Sequence, residues 1–148
     1  MDEDNNIRCG LIRNTCKKPG WDKVESMIDI VETSMKECLG SSGKLHAWVC
    51  EGQYAGGRGR SEHAIRNGWV AASVYTMGKG KCPRIIAIPA TWTRNVAKEI
   101  RHDKLKRELP PMLEWDWVGP PAPLSKMHNI YDAIALAKYG LQMIKDKR

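Results

Sequence analysis

The chain is 148 residues long, 42% hydrophobic and 28% charged, a length and balance that suit one soluble globular domain with a real core. No apolar run approaches the roughly 18 residues of a membrane span, and the opening MDEDNN lacks signal-peptide character, which makes the cytoplasm the expected compartment. A net charge of +7 favours a polyanionic partner, and five cysteines (Cys9, Cys16, Cys38, Cys50, Cys82) with no CxxC pair argue against a disulfide framework or a cysteine metal site.

In chain order, Ile7 to Arg13 is a short strand candidate preceded by the polar turn DEDNN. After the KKPG break, Asp22 and Glu25 form a capping-box pattern. Val24, Met27, Ile28, Val31 and Met35 then recur at helical spacing as far as Gly40. The turn signal GSSG introduces Leu45 to Cys50, an apolar run that predicts a buried strand, with Glu51 at its end. A carboxylate at the point where a buried strand runs out into a glycine-rich loop sits where open α/β sheets present their chemistry.

The loop Gly52 to Gly59 holds four glycines and Arg58, with Arg60 just beyond. Its backbone can approach a phosphate while guanidinium groups reach it. A helix then opens at the N-cap Ser61, carries Ala64, Ile65, Gly68, Trp69 and Ala72 on one stripe, and ends at Gly78. The basic turn GKGKCP leads to a second buried strand, Arg84 to Ile88. Thr91 to Arg107 reads as one helix with a thin apolar stripe of Val96, Ala97 and Ile100. Its other faces carry Arg94, Lys98, Arg101, His102, Lys104, Lys106 and Arg107, offset only by Glu99 and Asp103. A one-signed helix of this kind is explained by phosphate contact, and Arg60, Lys79 and Lys81 extend the same surface.

Pro110 to Lys126 holds five of the eight prolines and two tryptophans. It reads as irregular: an ordered connection with the tryptophans packed on the body, or a mobile flap. The last helix, Asn129 to Lys145, has Ile130, Ala133, Ile134, Ala137 and Leu141 at core spacing, with Asp132 in its first turn. Asp132 either complements the helix dipole or faces inward, where a charge needs a metal or a partner to balance it. His128, Asn129 and Asp132 can point to one locus as hard-cation donors, which Glu51 completes if strand end and helix start converge.

The block E-G-Q-Y after a strand, the helix RSEHAIRNGWVAASVY, the strand-to-basic-helix PRIIAIPATWTRNVAKEI and the terminal H-N-I-Y-D-A-I-A-L-A resemble, in order and spacing, RuvC-type Holliday junction resolvases, phage-like ones in particular. The resemblance covers nearly the whole chain. It implies an α/β fold of the RNase H-like (RuvC-type) kind, a mixed sheet flanked by helices, in a single nuclease domain over residues 1–148 with the Pro-rich connection 110–127 inside it. It further implies a homodimer that resolves branched DNA, a four-way junction, in a bacterial or phage-infected cell. Four acidic or metal-binding side chains hold two Mg2+ ions, or Mn2+ in their place, for phosphodiester hydrolysis.

By resemblance Glu51 is the second of these ligands and Asp132 the last. Asn129 stands at the remaining late position with His128 one residue earlier, so either is the auxiliary ligand. Tyr54 matches an aromatic that stacks on bases at the junction centre. The helix carrying Trp69 matches the one that packs against its twin in the dimer. DNA contacts are expected from Arg58, Arg60, Lys79, Lys81, Arg94, Lys98, Arg101 and Lys104.

The family's first strand, with its catalytic aspartate in a G-x-D-P-G context, has no counterpart here, because Met1 to Asn6 aligns with the turn after the second strand. The expected explanations are a start codon placed too late, a strand supplied by a partner or a swap, or a degenerate nuclease that only binds. Two alternatives accompany the nuclease reading. One is a non-catalytic binder of branched nucleic acid with the same fold. The other is an activity on RNA, as in ribonuclease H relatives.

Overall fold

The computed structural model describes residues 7–12, 15–18, 20–39, 46–51 and 62–146, with backbone alone for 38–39 and 62–67. Its elements in order are β1 (Arg8–Cys9), α1 (Trp21–Leu39), β2 (Trp48–Glu51), α2 (Glu62–Met77), β3 (Arg84–Ala87), α3 (Pro89–Thr93), α4 (Lys98–Glu108), β4 (Asp116–Trp117) and α5 (Met127–Lys145). Short 3₁₀ turns at Met112–Glu114 and Leu124–Lys126 flank β4. The chain is a mixed α/β protein, mainly helical, that divides into two compact units. Ile12–Pro89 forms the first, and Met1–Leu11 with Ala90–Arg148 the second.

In the first unit β2 and β3 pair in parallel, Trp48 opposite Arg84 through Glu51 opposite Ala87, with α2 as the crossover between them. Parallel neighbours require such a crossover, and here it is a single helix. The spacing of Val24 and Met35 on α1 turns both inward, and both are buried. Across α1 and α2 the Trp21 and Trp69 rings stack with centroids 3.9 Å apart and planes 12° from parallel. Trp48 fastens the start of β2 to the end of α2, its Nε1 donating to the Val74 carbonyl at 2.8 Å. The ring lies against Gly78, where an added Cβ would sit 2.7 Å from Trp48 Cγ. Gly78→Ala is therefore expected to cost about 1–3 kcal/mol by overpacking, read as a lower urea midpoint with an unchanged slope. A neutral outcome would mean that the Trp48 ring is not seated there.

In the second unit β1 pairs in parallel with β4, Arg8 opposite Asp116 and Cys9 opposite Trp117. The core is Ile7, Leu105, Trp115, Met127, Ile130, Tyr131 and Ile134, edged by Cys9, Leu109, Trp117, Ala122 and Ala135. Trp115 meets Tyr131 edge-on, at 6.1 Å and 86°, and its Nε1 donates to the Pro110 carbonyl at 3.0 Å. The Pro-rich stretch, expected to be irregular, carries β4 and both 3₁₀ turns and is an ordered connection pinned by its first tryptophan. Among the described residues no helix is long and apolar enough to cross a membrane.

Several expected elements differ. The first strand is only Arg8–Cys9, and the second runs Trp48–Glu51, so that Glu51 belongs to the strand. The helix expected over Thr91 to Arg107 is broken: Arg94 and Asn95 lie in the left-handed region at φ 52° and 57°, between α3 and α4. Asparagine tolerates that region, and the Thr93 hydroxyl accepts the Asn95 N–H at 3.3 Å, so side-chain bonding competes successfully with helix continuation. The expected apolar stripe assumes one unbroken helix, and with the helix broken it does not face the core. Val96 and Ile100 are 42% and 63% exposed, and α4 buries His102 and Leu105 instead. The last helix begins at Met127, directly after a 3₁₀ turn, which moves Asp132 into its second turn and away from the positive end of the dipole. Its buried line is Met127, Ile130, Tyr131 and Ile134, leaving Ala133 exposed.

Candidate functional site

Glu51 is the last residue of β2, exposed at the carboxyl-terminal end of the parallel pair and opposite the fully buried Ala87. The strand holds its backbone in place while its side chain reaches the surface. Asp132 belongs to the second unit and Glu51 to the first.

Asp132 is answered by α4. Lys98, Arg101 and His102 stand at i, i+3 and i+4, which brings them to one face of that helix. Lys98 Nζ lies 2.5 Å from Oδ2, His102 Nε2 lies 2.9 Å from Oδ1, and Arg101 Nη1 is 3.7 Å from Oδ1. The Arg101 guanidinium is packed over the Trp92 ring at 4.6 Å, and its Nε donates to the Val96 carbonyl at 3.2 Å. The His102 ring leans on Tyr131 with centroids 5.4 Å apart. Elsewhere between the same helices, Lys138 Nζ donates to Glu108 Oε2 at 2.6 Å.

Burial pushes the Asp132 carboxyl up, but the hydrogen bonds and charges of Lys98 and His102 outweigh it and hold the group below its ordinary value. A carboxyl lowered by folding stabilises the fold above its unfolded pKa of about 4, and that contribution fades as pH falls through the lower folded value. The gap in urea midpoint between the native chain and Asp132→Asn is therefore expected to be constant near neutrality and to close as pH falls below about 4. A gap that stays open in acid would place the stabilisation elsewhere.

The other expected site residues are distributed as follows. His128 and Asn129 are exposed on the first turn of α5, and the partners of Asp132 come from α4. Lys98 and Arg101, expected on DNA, are engaged with Asp132, and the Arg101 side chain is only 18% exposed. Lys79, Lys81, Arg94 and Lys104 are exposed, Lys104 with a loose 3.8 Å pairing to Glu108. Trp69 stacks on Trp21 of its own chain and is 42% exposed. Tyr54, Arg58 and Arg60 lie outside the described residues.

Among the described residues no group of three His, Cys, Asp or Glu side chains is arranged to hold a metal ion. Both Asp132 oxygens already face cationic or imidazole donors, so these donors as they stand do not compose a divalent-cation centre. Burial pushes the Cys50 and Cys82 thiols up, which keeps them protonated and makes them poor nucleophiles. The convergence of α4 on Asp132 escapes a reading of the sequence in which the three basic groups belong to solvent and phosphate. Their i, i+3, i+4 spacing, together with a lone carboxylate on an apolar helix, is the signal that could have found it. No protein-family model, curated protein or solved structure matches the chain.

Proposed function

We propose that this protein is a structure-selective endonuclease of the RuvC type. It acts as a homodimer on branched DNA with Mg2+, Mn2+ being the alternative ion, in the cytoplasm of a bacterial or phage-infected cell. The observation that carries this reading is Glu51, an exposed carboxylate closing β2 at the end of a parallel strand-helix-strand unit. That is where sheets of this architecture offer ligands and catalytic groups. The net charge of +7 and the exposed Lys79, Lys81, Arg94 and Lys104 support a phosphate-rich substrate. The RNase H-like topology belongs to this same reading.

The test is cleavage of a labelled four-way DNA junction, a linear duplex and an RNA/DNA hybrid in Mg2+ and in EDTA. Because these 148 residues hold no counterpart of the family's first catalytic aspartate, weak or no nicking is expected from them alone, and metal-dependent nicking of the junction once a strand bearing that aspartate is supplied. Preference for the hybrid would move the activity to RNA, and uncut but retarded junction would leave a non-catalytic binder of branched DNA. That second reading is favoured by one observation: the Asp132 charge is balanced by side chains of α4.

Replacing Lys79, Lys81, Arg94 and Lys104 with glutamine is expected to weaken junction binding and to flatten its dependence on salt by about 0.9 in log–log slope for each phosphate that is no longer neutralised. An unchanged slope would remove these residues from the interface. Lys98 and Arg101 act mainly within the fold, so their replacement is expected to register in stability more than in the slope.

A further inference from the structure

Within the Pro-rich connection, residues 120–123 read Pro-Pro-Ala-Pro and are followed by Leu124, Ser125 and Lys126. Each proline ring locks φ at about −65°, and Pro120 and Ala122 each precede a proline, which drives them out of the helical region. The result is polyproline II backbone. Pro123 stands at φ −63° and ψ 150°, and the chain runs without turn or bend from Pro121 to Pro123. Such a helix repeats about every three residues, so it presents three edges. Ala122 packs against the core, while Pro120, Pro121 and Pro123 are exposed and Leu124 is 84% exposed. Two edges therefore face solvent, one bearing Pro120 and Pro123, the other Pro121 and Leu124. Both ends of the run are fixed. Upstream the Val118 N–H donates to the Cys9 carbonyl at 2.8 Å, and downstream the Lys126 N–H donates to the Pro123 carbonyl at 2.8 Å, just ahead of the buried Met127.

We infer that residues 120–126 are a docking ridge for a proline-recognising protein domain, one with an aromatic-lined groove and an acidic pocket at its end, as SH3-type domains have. A groove of that kind takes two edges of a polyproline II helix and leaves the third outside, and here the third edge is the one that the core already holds. Lys126, which is exposed, supplies the charge. The turn closed on Pro123 keeps the Lys126 Cα within about 7 Å of that of Pro123, comparable to two further residues of polyproline II at about 3.1 Å each. An ammonium at that distance beyond the last proline suits an acidic pocket at the end of the groove. Because the fold has already ordered the segment, docking loses little conformational entropy.

The experiment titrates the 15N-labelled full chain with a panel of unlabelled SH3 domains, each used with its acidic pocket intact and with the pocket carboxylates replaced by amides. The chains compared are the native one, Pro120→Ala combined with Pro123→Ala, and Lys126→Glu. At least one intact domain is expected to bind the native chain saturably in the micromolar range and to shift the amides of Gly119, Ala122, Leu124, Ser125 and Lys126. The double proline variant and Lys126→Glu are each expected to bind that domain at least about tenfold more weakly. Replacing the pocket carboxylates is expected to weaken binding of the native chain and not that of Lys126→Glu, as charge pairing requires. The substituted side chains are exposed, and amide spectra away from the segment check that each variant is folded. Lys126→Glu lies outside the proline run, so it still decides the question if the double variant does not fold. Binding by no member of the panel, shifts centred elsewhere on the chain, or unchanged affinity in either folded variant would each overturn the inference. Cleavage is not read, so the outcome is separate from that of the nuclease reading.

Discussion

With a strand bearing the family's first aspartate supplied, Glu51→Gln is expected to slow junction cleavage by about 10²–10³-fold, roughly 3–4 kcal/mol of transition-state stabilisation, while junction affinity stays within about twofold. The substitution keeps shape and removes charge. Glu51 is exposed at the end of β2, and its strand is fixed by pairing with β3 from Trp48 opposite Arg84 to Glu51 opposite Ala87. A surface change of this kind moves stability by only about 0.5 kcal/mol, so a large loss of rate has to come from the chemistry. Single-turnover cleavage and gel retardation on the same junction separate rate from binding. Undiminished cleavage would take Glu51 out of the site and deprive the nuclease reading of its main support. A fall in melting temperature alongside the rate would make the residue structural.

Trp115→Ala is expected to cost about 3–5 kcal/mol, the range for removing a large aromatic from a core. Trp115 is 5% exposed amid Ile7, Leu105, Ile130, Tyr131 and Ile134, and its indole N–H ties the Pro-rich connection through the Pro110 carbonyl. Removing the ring opens a cavity, leaves a part-buried carbonyl without its donor, and withdraws the edge contact to Tyr131, the ring on which His102 leans. Against a total stability of about 5–15 kcal/mol this is enough to unfold a marginal unit at 37 °C. Urea unfolding followed by fluorescence and circular dichroism checks it. A loss below about 1 kcal/mol would mean that the connection packs elsewhere.

The helices α1 and α5 are legible in the sequence because their apolar residues, Val24 to Met35 and Ile130 to Leu141, repeat at the helical period over about three turns, long enough to outweigh local exceptions. The strands are legible in type but not in length. Apolar runs such as Leu45 to Cys50 and Arg84 to Ile88 mark a strand, yet its ends depend on which backbone groups find a partner, and among the described residues the paired register runs over Trp48–Glu51 and Arg84–Ala87. Thr91 to Arg107 misleads because the helix formers of Lys98 to Arg107 outweigh, in the average, the poor ones Thr91, Thr93, Asn95 and Val96 that precede them. The break at Arg94 and Asn95 comes from one threonine hydroxyl and a left-handed asparagine, local features that outweigh the average of the segment.

Sequence alone determined the helical type of α1, α2 and α5, the position of Glu51 at the end of a strand and the surplus of positive charge, while it left Asp132 open between the helix dipole and an inward partner. Each of these depends on periodicity, on local chemistry or on a sum over residues, and none requires knowing which segments meet. Tertiary structure alone decided what does the balancing. Lys98, Arg101 and His102 lie about 30 positions from Asp132 in the chain, and only the packing of α4 on α5 turns them from a basic solvent face into the partners of that carboxylate. A charge is satisfied by whatever lies within a few ångströms, and spacing along the chain does not carry that distance.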